Sequence, residues 1–165
     1  MVARSDGRFS ADGAEYRCAL GKGGVVAYGD KREGDGASPI GVYRLRWGLY
    51  RSDRIEPPAT TLQLHAIKPD DGWCDAPEDP AYNRFVRLPY PASCETLTRK
   101  DELYDILVVL DHNDGPPISG AGSAIFLHCA KPGYPPTRGC VAMARPDLES
   151  VLKTCTNAST LEIRR

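Results

Sequence analysis

The sequence predicts a mainly β domain with a mixed sheet arrangement and one clear helix. About seven or eight short segments have the alternating or continuously apolar pattern of strands. The 16 glycines and 14 prolines are typical of the turns that join such strands. The 165 residues suffice for one compact domain. We therefore expect a single domain over residues 1–165, with a poorly ordered tail over residues 1–14.

The predicted strands are bounded by turn residues. They cover residues 16–20, 25–28, 42–47, 61–67, 104–110, 124–128 and 161–163. Because three of residues 21–24 are glycines, we expect the first two strands to form a hairpin. The most apolar strand, 104–110, is expected at the centre of a sheet. Residues 93–103 are expected to form one or two helical turns or an irregular link.

The helix is predicted over residues 145–155. Pro146 stands at its start, and acidic residues occupy its first turn. Its apolar stripe at helical spacing consists of Leu148, Val151, Leu152 and Cys155.

The least regular stretch is residues 68–91. Loops of this length inside compact domains are usually functional or poorly ordered. Trp73 and Tyr82 combine apolar area with a polar tip, which suits the wall of a substrate groove. The alternative is that both rings pin the loop to the core, and the sequence leaves the two interpretations open.

The charge pattern excludes several classes of partner. The 21 basic and 22 acidic residues are interspersed and the net charge is -1, so neither nucleic acid nor an anionic membrane surface is expected. No apolar run is long enough to cross a bilayer. Residues 1–14 contain no signal-peptide core, so we expect either an intracellular chain or one whose leader has been removed.

The six cysteines form no C-x-x-C pair, which gives no sign of a zinc ribbon or a thioredoxin-like motif. Cys18, Cys94 and Cys155 are expected to be buried small apolar residues. The even count leaves open one or two disulfides in an oxidising compartment.

One stretch carries the strongest chemical signal. An apolar run ends at His128, a loop rich in Pro and Gly follows, and Gly139 then precedes Cys140. A thiol and an imidazole at facing strand ends are the minimum for a cysteine nucleophile with its base. We expect the neighbouring Arg138 to lower the pKa of Cys140, the amides around Gly139 to form an oxyanion hole, and the backbone carbonyl of Cys129 to orient His128.

Cys129 leaves alternatives open within this stretch. It is itself a candidate nucleophile, a disulfide partner of Cys140, or a passive neighbour. A zinc site from His128, Cys129 and Cys140 would lack a recognised ligand spacing. His128 also has a purely structural interpretation, since a lone histidine on a buried strand is often one.

These residues resemble the L,D-transpeptidase catalytic domain (YkuD) family, as a divergent branch. The matching motifs are His128 at a strand end, Thr137-x-Gly139-Cys140-Val141, the Ser-Pro-Ile-Gly-Val-Tyr run at residues 38–43, and the strand at residues 122–128. Arg138 stands where the family has histidine, and Ala142 where Arg or Asn is common. The spacer after His128 is shorter than usual. A contact to the peptide carboxylate is therefore expected to be lost or to move to Arg138.

The resemblance implies a YkuD-like mixed β-sandwich with one or two short helices. It also implies a monomeric cysteine acyltransferase of cell wall biogenesis that acts on donor and acceptor peptidoglycan stem peptides in the cell envelope or periplasm. No metal or cofactor is implied, and carbapenem-type inhibitors are expected to react. An L,D-carboxypeptidase or amidase and a non-catalytic peptidoglycan- or metal-binding module are the alternatives. Besides the catalytic residues, we expect substrate or oxyanion contacts from Thr137, Arg138, Gly139, Trp73, Tyr82 and Asn83.

Overall fold

The computed structural model describes all residues, Met1–Arg165, and consists mainly of strands. The strands are β1 Val2–Arg4, β2 Arg8–Ala11, β3 Ala14–Ala19, β4 Val25–Val26, β5 Ser38–Pro39, β6 Gly41–Tyr50, β7 Leu64–Ala66, β8 Asp71–Cys74, β9 Phe85–Arg87, β10 Cys94–Thr96, β11 Ile106–Leu110, β12 Phe126–Cys129, β13 Val141–Met143 and β14 Thr160–Arg164. The helix α1 covers Arg145–Leu152, and a single 3-10 turn covers Tyr28–Asp30.

Two long strands connect the main sheets. The first part of β6 pairs with β14 and its second part with β11, while β3 pairs first with β2 and then with β13. The resulting order is β11-β12-β13-β3-β2-β1-β14-β6-β7, and β6 also pairs with β11 at the other end of this order. Parallel pairs, such as β12 with β13, occur among antiparallel ones. The predicted mainly β fold of mixed sheets is confirmed.

The alternating side chains of β11 and β12 divide the apolar core in two. Ile106, Val108 and Leu127 belong to a cluster of 22 buried residues that also includes the buried apolar side chains of α1. Leu107 and Phe126 face the opposite way into a smaller cluster of nine. Successive residues of a strand point to opposite faces, so one pair of strands serves both clusters.

The helix ends earlier than the sequence pattern indicates. Pro occupies its first turn, and Leu148, Val151 and Leu152 are buried as predicted. Cys155 is also buried, but it lies beyond the helix end at Leu152.

The expectation of a poorly ordered tail over residues 1–14 is wrong. β1 pairs in parallel with β14 and antiparallel with β2, and Ala3 and Phe9 are fully buried. These strands are short and mostly polar in sequence, so their apolar alternation is too brief to be recognised without the partner strands.

Three local predictions also change. The predicted hairpin is absent, because β4 pairs in parallel with β5 rather than with β3. Residues 93–103 contain the strand β10 instead of helical turns. The irregular stretch 68–91 holds β8 and β9, which form a small sheet of order β10-β8-β9. No helix in the structure has the length and apolar character needed to span a membrane.

Candidate active site

The parallel pair of β12 and β13 brings His128 and Cys140 to one face. Leu127 pairs with Val141 and His128 with Ala142. Cys140 lies one residue before β13, which begins at Val141. Residues two apart along a strand share a face, which places the Cys140 and His128 side chains diagonally on the same side. Both side chains line one cleft with a volume of about 810 Å³. The strand register therefore places both side chains on the side of the sheet that lines the cleft.

The Cys140 thiol lies at the buried end of this cleft. Its S–H donates to the Ala124 carbonyl at 3.1 Å, and the Phe126 amide donates to its sulfur at 3.4 Å. Burial, followed by the charge of Glu95, raises the thiol's pKa to about 12. The expectation that Arg138 lowers this pKa is wrong. Lys31 is the cation that lowers it, and loss of hydration outweighs that effect.

His128 is held by a backbone carbonyl. Its Nδ1 lies 2.8 Å from the Cys129 carbonyl oxygen, which can only accept, so the proton sits on Nδ1 and Nε2 carries the lone pair. Burial lowers the pKa of the imidazole to about 4 despite that hydrogen bond. The resting pair is consequently a neutral thiol and a neutral imidazole.

The Cys129 side chain points away from the site. It lies in the larger apolar cluster, where its thiol faces the Ile106 carbonyl at 3.9 Å. Strand alternation separates it from His128 and Cys140, which belong to the opposite face. Cys129 is thus not placed to attack substrate in this cleft, to pair with Cys140, or to complete a zinc site. No group of three or more His, Cys, Asp or Glu residues in the structure could hold a metal ion.

The loop that presents Cys140 is shaped by Thr137. Its hydroxyl donates to the Cys140 carbonyl at 2.7 Å and accepts from the Gly139 amide at 3.1 Å. Gly139 has a φ of 136°, and a Cβ at this position would lie 2.9 Å from the Ala37 carbonyl. Only glycine fits both the backbone conformation and the space.

This hydrogen bond changes the expected oxyanion hole. The Gly139 amide already donates to Thr137, so it is not free for substrate. The Cys140 amide makes no hydrogen bond within the structure. Of the amides around Gly139, the Cys140 amide is therefore one that remains free to donate to a ligand.

Basic residues dominate the charged lining of the cleft. Five basic side chains face three carboxylates there. The basic set is Lys22, Lys31, Arg99, Lys131 and Arg138. Arg138 is exposed at the cleft, which suits the expected contact with a substrate carboxylate.

Sequence reasoning missed a polar cluster in the same cleft. The Tyr104 hydroxyl donates to Glu95 at 2.6 Å, and Arg99 lies 3.7 Å from the same carboxylate oxygen. The Tyr104 ring packs edge-on against His128 with centroids 5.3 Å apart. Burial raises the pKa of Glu95, while Tyr104 and Arg99 oppose that shift. No local pattern marks these residues, because Glu95 and Tyr104 reach the site from a short edge strand and a turn.

Trp73, Tyr82 and Asn83 do not line the cleft, contrary to the prediction that they bind substrate. All three are buried. The Trp73 indole donates to Asn83 at 2.9 Å, and its ring packs against Phe126. Asn83 also accepts from the Ala124 amide at 3.1 Å. These residues hold the backbone around Cys140 from behind, so the alternative that the loop is pinned to the core is the one observed.

A second groove, of about 720 Å³, lies outside this site. It is lined by polar residues of β2 and β3 and by Tyr134. No histidine lines it, and burial raises the pKa of Cys18, its one thiol, to about 11. The groove therefore lacks a thiol with a base.

The family follows from comparison with known proteins. The family model of the L,D-transpeptidase catalytic domain (YkuD) matches residues 6–163. The chain belongs to this family. Neither the comparison with curated proteins nor the comparison with solved structures found a match.

Proposed function

We propose that this protein is an L,D-transpeptidase in which Cys140 forms a thioester with a peptidoglycan stem peptide. The observation that carries the proposal is the placement of Cys140 and His128 on one face of neighbouring parallel strands, within a single cleft. Family membership supports the substrate class, since the family acts on peptidoglycan peptides.

The first half-reaction starts from the neutral pair. The Cys140 sulfur attacks the carbonyl carbon of an L-to-D peptide bond while its proton passes to Nε2 of His128. The Cys140 amide stabilises the oxyanion. His128 then gives the proton to the departing amine of the D-amino acid, which leaves a thioester on Cys140.

The second half-reaction consumes the thioester. The amine of a second stem peptide, an acceptor protein or a free D-amino acid attacks the thioester carbonyl and loses a proton to His128. Collapse of the intermediate forms the new amide bond and returns the proton to the Cys140 sulfur. Because the substrate is part of the cell wall, we place the activity in the cell envelope.

Acylation is tested by exposing the protein to a carbapenem and measuring intact mass. The expected result is one adduct that maps to Cys140 and is absent from Cys140→Ala. Cys129→Ala is the matched variant, since its thiol lies on the opposite face, and it is expected to acylate as the wild type does. Labelling of Cys129, or no adduct at all, would contradict the proposal.

The acceptor is tested with a disaccharide-tetrapeptide followed by mass spectrometry. A transpeptidase yields a cross-linked dimer, whereas an L,D-carboxypeptidase or amidase yields only the tripeptide. Retention of turnover in both Cys140→Ala and His128→Ala would refute catalysis by this pair. No turnover by the wild type, with peptidoglycan binding retained in Cys140→Ala, would favour a binding module.

A further inference from the structure

Two cysteines face each other at the wall of the cleft. Cys94 of β10 is the direct antiparallel partner of Cys74 of β8. The Cys74 amide donates to Arg84 and its carbonyl accepts from Asn83, so both groups point away from β10. Cys74 and Cys94 therefore form a pair without hydrogen bonds between them. At such a pair the Cα atoms lie about 4.5 Å apart, within the range of about 4.4–6.8 Å found in disulfides.

The two thiols differ in their exposure to solvent. Cys74 is fully buried, whereas Cys94 is partly exposed and lines the cleft. Its exposure departs from the buried position that the sequence predicted. Burial, and next the neighbouring Cys74 thiol, raises the pKa of Cys94 to about 11. The dependence on Cys74 is consistent with the close approach that the strand register requires.

None of the other four thiols has this arrangement. Cys18 pairs across its strands with Met143, and so does Cys129. Cys155 lies outside the strands against Met1, and Cys140 faces the Ala124 carbonyl. The juxtaposition is specific to one pair of the six.

We propose that Cys74 and Cys94 form a disulfide in an oxidising compartment, as a cross-strand staple in the wall of the active-site cleft. The oxidant is a low-molecular-weight disulfide such as oxidised glutathione. The Cys94 thiolate attacks one of its sulfurs and expels one glutathione thiol. Cys74 then attacks the mixed disulfide at Cys94 and expels the second. Two protein thiols are oxidised, one glutathione disulfide is reduced, and two protons go to the two glutathione products.

The staple acts on residues that reach the site. Glu95 and Trp73, the next pair along the two strands, lie beside Tyr104 and Phe126 respectively. The Phe126 amide in turn approaches the Cys140 sulfur. A bond between Cys74 and Cys94 closes the loop of residues 74–94 and fixes this wall relative to the nucleophile.

The test is redox equilibration of the full chain in mixtures of reduced and oxidised glutathione at about pH 8.5, where exchange through thiolate proceeds. Samples are quenched with acid, alkylated and mapped by peptide mass spectrometry. We expect one cross-linked peptide pair containing Cys74 and Cys94, with the other four cysteines alkylated. Cys94→Ser removes the cross-link, and Cys18→Ser retains it.

Melting temperature provides a second measurement. Oxidation is expected to raise that of the wild type by roughly 6 °C or more and to leave that of Cys94→Ser unchanged. The absence of a Cys74–Cys94 cross-link in the most oxidising mixture, or a cross-link to another cysteine, would overturn the inference. Wild-type mapping decides this even if a variant fails to fold. Acylation of Cys140 is measured separately, so the staple and the proposed function can fail independently.

Discussion

The Ser38 hydroxyl donates a 2.7 Å hydrogen bond to the Gly139 carbonyl, across 101 positions of sequence. The same oxygen accepts from the Gly21 amide at 2.9 Å, and Ser38 is fully buried. One side chain thus ties the Ser-Pro-x-Gly motif to the loop that presents Cys140. The contact gives a physical reason for both motifs to occur in one chain.

Replacing Ser38 by Ala is expected to lower the free energy of unfolding by about 2 kcal/mol, because two buried backbone groups lose their partner. Urea denaturation measures the change. Ser119→Ala is the matched variant, since Ser119 is exposed and its hydroxyl reaches only the Pro77 carbonyl. It is expected to change stability by less than about 0.5 kcal/mol. Equal effects of the two substitutions would show that the Ser38 bridge is unimportant.

Gly139→Ala is expected to reduce both stability and the rate of Cys140 acylation. The added methyl meets the Ala37 carbonyl at 2.9 Å in a backbone conformation that disfavours side chains. Gly133→Ala separates the effect of backbone conformation from that of the close contact, because Gly133 has a φ of 82° and nothing within 4 Å of its Cβ position. We expect it to cost about 1 kcal/mol and to spare acylation. If Gly139→Ala changed stability and acylation as little as Gly133→Ala does, the proposed contact between the added methyl and the Ala37 carbonyl would be wrong.

Glu95→Gln is expected to make Cys140 more reactive towards iodoacetamide. The charge of Glu95 helps to raise the pKa of the Cys140 thiol, so its removal increases the thiolate fraction. We expect roughly a threefold or greater increase in the alkylation rate at fixed alkaline pH. Glu33→Gln, in the same cleft but hydrogen-bonded to Tyr82, is expected to leave the rate unchanged. A slower reaction in Glu95→Gln would reverse the assigned role.

The acylation rate with a carbapenem is expected to be flat between about pH 5 and about pH 9. His128 with a pKa of about 4 is already neutral over this range, and Cys140 with a pKa of about 12 is still protonated. The rate should fall only as His128 gains a proton towards pH 4. A rise of about tenfold between about pH 6 and about pH 8 would indicate instead a preformed thiolate–imidazolium pair.

Stability is expected to fall as the pH drops from 6.5 towards 4. Burial lowers the pKa of both His112 and His128 from 6.5 to about 4. In that window the unfolded chain binds protons that the folded chain does not, so each histidine destabilises the fold by up to about 3 kcal/mol. Urea denaturation at several pH values measures the slope.

Two variants isolate the histidine contribution to this slope. His112→Gln should flatten it, whereas His65→Gln, at an exposed position, should leave it unchanged. An unchanged slope in His112→Gln would show that its buried neutral imidazole does not contribute.

Local patterns in the sequence predict the class of fold and single out His128 and Cys140 as the candidate catalytic pair. About half of the strands, and the helix, follow from patterns that repeat every two or every three to four residues, which are local properties of the chain. The apolar strand ending at His128 and the Gly139–Cys140 turn are local in the same sense. The partner of each strand is not local, which is why β4 was wrongly assigned to a hairpin and why β1 and β2 were missed.

Which side chains come into contact depends on the pairing of distant segments. The Ser38 bridge to Gly139, the Glu95–Tyr104 pair beside His128, and the facing Cys74 and Cys94 all join segments from different strands or loops. The same pairing turned Cys129 away from the cleft and buried Trp73 behind it. The physical reason is that strand register depends on packing between distant segments, and a shift of one residue moves a side chain to the opposite face.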